Sequence, residues 1–326
     1  MIGTSLLFSG SIAGLLGPGD FAIPTVGYSL RPLSVSYSGA VVRVRRSGDN
    51  EEKDFNSTSI TNGTLDNFLI TLGTDDHSKE ILSDFEDIPD FSLLCACNVG
   101  RANELDAVDE FNDADGFVSK LYDQFGSNDA TNSTAAEQPK IWDASTGLVT
   151  EDGKAAILLD GVDDHLVSIS VYPTQQYQSS FYVASSTGTN NRVLDTRGTG
   201  ATGTVQGWQH KFSNNQDVTL IDNGAGIGLI LSNVSRTGQN LISSFIYGGS
   251  GSYIIEYTNS SLSDTSTDVN NIDFDSGNSL YIGANVNGAD SQLFGGKIQE
   301  IILYASDQSS NRTKIEDNIN DYYDIY

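Results

Sequence analysis

Four side chains within seven residues could recognise a sugar: Trp208, Gln209, His210 and Asn214. A pyranose lays its apolar face on an aromatic ring and has its hydroxyls satisfied in pairs by planar amides or carboxylates. Trp208 would supply the ring, and its neighbours, with Asn285 further along the chain, the polar partners. A core position for Trp208 is the ordinary alternative, and the residue types alone leave both open. A second group, Asp160, Asp163 and Asp164 with Asn128, could gather around calcium, which takes about six to eight oxygen ligands. A solvated hairpin explains the same carboxylates, since Asp160 followed by Gly161 fits a turn by itself. No other metal or cofactor is expected. Cys95 and Cys97 are too close for a strain-free bridge, and His77, His165 and His210 are scattered. The two thiols read as buried groups in the apolar run Phe91 to Cys97. The sequence has no G-x-S-x-G, Walker or H-E-x-x-H motif. Gly198 to Gly203 and Gly248 to Gly251 lack the strand-to-helix flanks of a phosphate loop and read as hairpin turns.

The chain that must position these groups has 326 residues, 43 acidic against 17 basic, and a net charge of −26. Such a balance gives no basic footprint for phosphates, so nucleic acid is not an expected partner, and an anionic bilayer would repel it. With 38% hydrophobic and 18% charged residues it is a globular chain rather than a disordered acidic one. Ten short runs rich in β-branched and aromatic residues, separated by Gly, Asn and Ser, predict strands: Ala40 to Val44, Ala155 to Leu159, Leu166 to Val171, Ser180 to Ser185, Val218 to Ile221, Gly228 to Leu231, Leu241 to Ile246, Ser252 to Thr258, Ser279 to Ile282 and Lys297 to Tyr304. That many strands with turn signals between them favour a sandwich. Asn311 to Tyr323 predicts a helix capped by Ser309 and Ser310, with Ile315, Ile319 and Tyr322 on its apolar face. Thr64 to Leu72 and Asp106 to Tyr122 are further helix candidates, and the acidic stretch 74–114 reads as an insertion.

Several strings, taken in order, carry a resemblance: GYSLRPLSVSYSGAVVRVRRSGDNEEKDF from Gly27, LYDQFGSNDA from Leu121, QPKI from Gln138 and LDGVDDHL from Leu159. They resemble a module common in bacteriophage tail fibres, head fibres and other virion proteins. That module is similar to the catalytic domain of family 54 arabinofuranosidases, which implies a concanavalin A-like jelly roll. The run from Leu280 to Tyr323 resembles the closing strands and helix of laminin-G-like lectin sandwiches. The implied fold is all-β, a concanavalin A-like jelly-roll sandwich over residues 27–326 with a partly helical insertion and a C-terminal helix.

The resemblance does not bring an active site with it. Retaining glycosidases need two carboxylates about 5 to 5.5 Å apart. At the matching positions this chain has amides, Asn285 after Ile282-Gly283-Ala284 and Gln206 and Gln209 in the partner strand. An amide neither donates nor accepts a proton near neutral pH, so the chain is expected not to be an enzyme, with Asp195, Asp217 or Asp290 the carboxylates that could serve instead. The resemblance implies a virion location, other virion proteins and sister copies as partners, and a host surface glycan as possible ligand, with a glycoside hydrolase as the alternative. Residues 1–26 begin with an uncharged, glycine-rich apolar segment that lacks the basic start of a secretory signal. It reads either as an edge strand on its own domain or as an anchoring arm, with Leu6, Leu7, Phe8, Ile12, Leu15 and Leu16 as the residues that would dock.

Overall fold

The computed structural model describes residues 16–72, 111–168, 177–186, 191–197, 206–213, 216–223, 227–231, 238–247, 253–267, 279–285 and 293–326. The first stretch gives β1 (Val26–Ser29), β2 (Val42–Arg46), β3 (Glu52–Phe55), helices α1 (Ser57–Thr61) and α2 (Thr64–Leu69), and β4 (Ile70–Leu72). Next come β5 (Phe111–Asp113), β6 (Gly116–Leu121), β7 (Ala130–Thr131), β8 (Lys140–Asp143), β9 (Gly147–Leu148), β10 (Thr150–Glu151), β11 (Lys154–Ala155), β12 (Ile157–Asp160) and β13 (Leu166–Ser168). Then follow β14 (Tyr177–Ser186), β15 (Asn191–Asp195), β16 (Gln206–Ser213), β17 (Gln216–Asn223), β18 (Ile227–Leu231) and β19 (Asn240–Tyr247). The last elements are β20 (Tyr253–Thr258), β21 (Ser261–Ser266), β22 (Leu280–Ile282), β23 (Gly295–Tyr304) and α3 (Arg312–Tyr323).

The strands make an antiparallel sandwich. A front sheet runs β18-β17-β16-β15-β22-β13-β7-β6-β2-β3. A back sheet runs β21-β20-β19-β14-β23, with β1 and β12 sharing the far side of β23. Strand β8 pairs with both β6 and β12 and so turns the corner between the sheets. The inner faces meet over Val42, Val44, Leu121, Leu159, Leu166, Tyr182, Trp208, Phe212, Ile242 and Ile301, all buried. The outer face of the back sheet carries a second core, where Phe181, Val183, Leu241, Phe245 and Ile302 lie under α3. Strand β14 is thus buried on both faces, which is why its sequence is a continuous run without alternation.

Helix α3 forms where expected, with two corrections. Tyr323 rather than Tyr322 turns inward beside Ile315 and Ile319, and Tyr322 stays partly exposed over the Arg31 guanidinium. The N-cap is Asn311, without a side-chain cap bond, so Ser309 and Ser310 do not cap it. The helix expected over Asp106 to Tyr122 is also corrected: 111–113 and 116–121 are strands, because Val118 and Leu121 bury one side of β6 while Phe117 and Lys120 face the other way. In the same region Thr64 to Leu72 splits into α2 and β4. Strands β4 and β5 pair with each other and hold the two ends of the acidic insertion, whose residues 73–110, with Cys95 and Cys97, lie outside the described residues.

Residues 16–25 are built into the sandwich: Gly19 donates to the Leu33 carbonyl at 2.8 Å and Thr25 to that of Leu303 at 2.8 Å. Leu16 is half-buried and its carbonyl accepts from Asn318 at 2.6 Å, whereas Leu6, Leu7, Phe8, Ile12 and Leu15 lie outside the described residues. Behind this segment Arg31 makes a buried two-point pair with Glu300, at 2.7 and 2.9 Å, joining the first strand's exit to β23 and, through Asn318, to α3. Gly283, at φ +88°, closes the turn after β22, and a Cβ there would lie 2.1 Å from Leu159 Cδ2. Gly283→Ala is expected to cost about 2–3 kcal/mol through strain and overpacking, read as a lower midpoint in urea unfolding with an unchanged slope.

Candidate functional site

Side chains alternate along each strand, so the front sheet has one face in the core and one facing out. Cross-strand register places Arg43, Lys120, Thr131, Val167, Tyr281, Asp195 and Gln209 opposite one another in a single row across β2, β6, β7, β13, β22, β15 and β16. At one end of this row is a cleft of about 370 Å³, lined by Arg43, Glu52, Ser119, Lys120, Thr131 to Ser133, His165 and Val167.

The cleft is polar and its charged groups are held in place. The Arg43 guanidinium grips Asp54 at two points, 2.6 and 3.0 Å, which holds that carboxyl below its ordinary range. Burial and the hydrogen bond to Asp54 push the neighbouring Tyr122 phenol up to about 12, so it stays a neutral hydroxyl. Lys120 donates to Asp129 at 3.0 Å and sits 5.0 Å from the centre of the Tyr122 ring. Asn132 spends its side chain on the scaffold, donating to the carbonyls of Glu137 and His165 at 3.0 Å each. The Asp163 carbonyl can only accept, so His165 Nδ1, at 2.9 Å, carries the proton when the ring is neutral and Nε2 keeps the lone pair.

Ser119 is the unusual member. Between Arg43↔Lys120 and Val44↔Val118 the register slips by one, making Ser119 the extra residue of a β-bulge. Bulges of this kind re-aim a side chain and occur beside binding sites. Here the Ser119 hydroxyl is buried beside the cleft, with no hydrogen-bond partner among the described residues. A buried hydroxyl without a partner costs about 1–3 kcal/mol. Hydroxyls of Ser119, Thr131 and Ser133, the cations Arg43 and Lys120, the carboxylate of Glu52 and the His165 ring together offer donors and acceptors to a polyol. Among the described residues a single carboxylate, Glu52, lines the cleft, whereas retaining hydrolysis takes two.

The sugar set expected around Trp208 is divided by the sheet. Trp208 is 1% exposed, and Trp208, His210 and Phe212 all turn into the core, where the indole and imidazole centres are 4.9 Å apart. Placing Trp208 and His210 on a surface platform is therefore corrected: they are interior residues. His210 Nε2 is 3.0 Å from Ser180 Oγ and Nδ1 is 2.9 Å from Thr219 Oγ1, and the Thr219 hydroxyl donates to Glu256, a buried chain joining the two sheets. Gln209 turns to the outer face but is buried there. Asn285 is half-buried after β22, while Asn214, Asp290 and the side chains of Gln206 and Asp217 lie outside the described residues. Asp195 is buried and holds Arg197 at 3.0 Å.

The carboxylates of Asp160, Asp163 and Asp164 come within 4.8 Å of one another. Among the described residues Asn128 makes no bond to them; its carbonyl accepts from Tyr28 and, at 2.8 Å, from Ser168, and its backbone N–H donates to Asp123 at 3.2 Å. The loop's own bonds account for the cluster, since Asp160 Oδ1 accepts from Val162 N at 2.8 Å and Asp164 Oδ2 from Asp160 N at 3.0 Å. Three carboxylates also fall short of the about six to eight oxygens calcium takes. Burial, then the charges of Asp160 and Asp163, push the Asp164 carboxyl up to about 7 from 3.8. The native state therefore holds this proton more tightly than the unfolded chain, so the group's contribution to stability falls as pH rises from about 4 to about 7. Asp164→Asn is expected to gain about 1–2 kcal/mol at pH 8, after solvent screening of the loop, and nothing at pH 3. Thermal melts at both values, with and without calcium, check this; a calcium-dependent gain in the parent that the variant lacks would assign a cation to the loop.

No protein family and no curated protein matches the chain. Among solved structures, the CBM40 of the Ruminococcus gnavus IT-sialidase, bound to alpha2,3 sialyllactose, is similar at 13% identity over 43% of this chain and 82% of that one, with a TM-score of 0.37. A heptameric SAP-like pentraxin from Limulus polyphemus is similar at 13% identity over 46% and 73%, with a TM-score of 0.36. Domains LG4-5 of the mouse laminin alpha1 chain are similar at 12% identity over 49% and 44%, with a TM-score of 0.39. These likenesses concern fold.

Proposed function

We propose that this chain is a non-catalytic glycan-binding sandwich, carried as a structural component of a tailed-phage virion in a fibre, knob or capsid-decorating position. The observation that carries glycan binding is the cleft on the outer face of the front sheet, where hydroxyls, two cations, an imidazole and one carboxylate converge from separate strands and loops. The single lining carboxylate weighs against the alternative, hydrolysis of a host surface polysaccharide.

Support for the virion setting comes from the resemblance of the four strings alone, and in the fold these strings lie close together. Asp123 of the second string accepts from Gly27 of the first at 3.1 Å, and Gln124 accepts from Leu33 at 2.8 Å and donates to the Ser29 and Arg31 carbonyls. Arg45 donates to Gln138 of the third at 2.6 Å, and His165 of the fourth donates to the Glu137 carbonyl at 3.1 Å. What the resemblance conveys is thus a shared scaffold, and the cleft opens on its surface. In this reading the apolar segment that precedes Leu16 anchors the chain on other virion proteins or sister copies, while residues 16–26 belong to the sandwich itself.

The full chain on a glycan array is expected to bind a restricted set of oligosaccharides saturably, and binding to none of them overturns the glycan reading. Mass spectrometry of purified virions is expected to find the chain in the particle, and its absence would refute the virion setting.

A further inference from the structure

Among the described residues no aromatic side chain lines the cleft, although a pyranose offers an apolar face of C–H groups as well as its hydroxyls, and an aromatic ring is the surface that covers such a face. The outward row holds a ring at the next position. Leu166, Leu280 and Ile282 fill the core between the sheets, so Val167 of β13 and Tyr281 of β22 turn outward. Val167 lines the cleft and Tyr281 stands directly opposite it, which puts their Cβ atoms about 4.5–5.5 Å apart. Exposure changes along this row: Thr131 is exposed, Val167 and Tyr281 are half-buried, and Asp195 and Gln209 are buried. The open stretch therefore starts in the cleft, crosses Val167 and ends on Tyr281, with Asp195 on the far side of the ring. Along it hydroxyls and charges give way to an isopropyl group and a phenol.

A polar cleft that runs on into an aromatic and aliphatic shelf complements a molecule with hydroxyls on its rim and C–H groups on one face. A pyranose chain has both, whereas an acyclic polyol has no such face. We propose that Tyr281, with Val167, is a stacking shelf for a second sugar unit, so that the cleft takes a pyranose oligosaccharide of two or more units rather than a single sugar or an acyclic polyol. This rests on the glycan reading of the cleft and narrows it to a ligand class. From Thr131 to Tyr281 the row crosses two strand spacings, roughly 10 Å, the span of a disaccharide. Packing of Tyr281 on Val167 also steadies the sheet, and Tyr281→Leu separates the two roles because it keeps apolar bulk against Val167 while removing the ring.

The test is calorimetric titration of the full chain with the tightest oligosaccharide retained on the array, its disaccharide fragment, its component monosaccharides and ribitol, the last as the acyclic polyol. The disaccharide is expected to bind the parent about tenfold more tightly than either monosaccharide. Tyr281→Leu should lose that tenfold while binding the monosaccharides as the parent does, and Tyr281→Phe should keep it. Proton spectra of the disaccharide should show the C–H signals of one unit moving upfield, as ring stacking requires, with the parent and Tyr281→Phe and not with Tyr281→Leu. Equal disaccharide affinity of parent and Tyr281→Leu, ribitol bound as tightly as the disaccharide, or no upfield shift with the parent overturns the shelf and leaves the cleft standing. Binding to no glycan on the array overturns both.

Discussion

Trp208→Ala is expected to destabilise the protein by about 3–5 kcal/mol, the range for truncating a large buried aromatic. The indole is 1% exposed, packs on His210 and sits among the inner faces of both sheets. Its backbone is also fixed, since Trp208 N donates to Thr196 Oγ1 at 3.0 Å and its carbonyl accepts from Thr196 N at 2.9 Å. The cavity therefore cannot collapse by moving the strand. At about 2–4 °C per kcal/mol for a large domain, the melting midpoint should fall by roughly 6–20 °C. Glycan affinity measured well below that midpoint should be unchanged. A variant that melts like the parent but no longer binds would return Trp208 to the role of sugar platform.

Thr131→Trp is expected to abolish glycan binding, with a loss of about 100-fold or more, while leaving the melting midpoint within about 2 °C. Thr131 is exposed and lies in the outward row between Lys120 and Val167. An indole there fills a cleft of about 370 Å³ without entering the core. Calorimetric titration with an oligosaccharide bound on the array, against parent and variant, checks both halves. Unchanged affinity would place the binding surface elsewhere.

The sandwich was legible where burial alternates along a strand, as in β20, and where burial on both faces makes a solid run, as in β14, β19 and β23. Strand β3, reading Glu-Lys-Asp-Phe, was not, because an edge strand with three exposed residues has no apolar rhythm to show. Phe117 and Leu121 fit helical spacing as well as they fit the strand they occupy; only pairing with β2 and β8 decides it. The cleft draws on positions from Arg43 to Val167 that meet through register, which a single sequence does not display, and nothing in the residue types marks Ser119 as a bulge. Trp208 did carry a signal. Trp208, His210 and Phe212 alternate, and the phenylalanine two residues beyond the imidazole marks that face as interior while putting Gln209 on the other.

The central claim is that the outer face of the front sheet around Ser119 binds glycan. Backbone amide shifts of the full chain, followed while that oligosaccharide is added, test it most directly. The account predicts perturbations concentrated at Arg43, Ser119, Lys120, Thr131, Ser133, His165 and Val167. Perturbations confined to the Asp160 to Asp164 loop, or to the back sheet and α3, would contradict it.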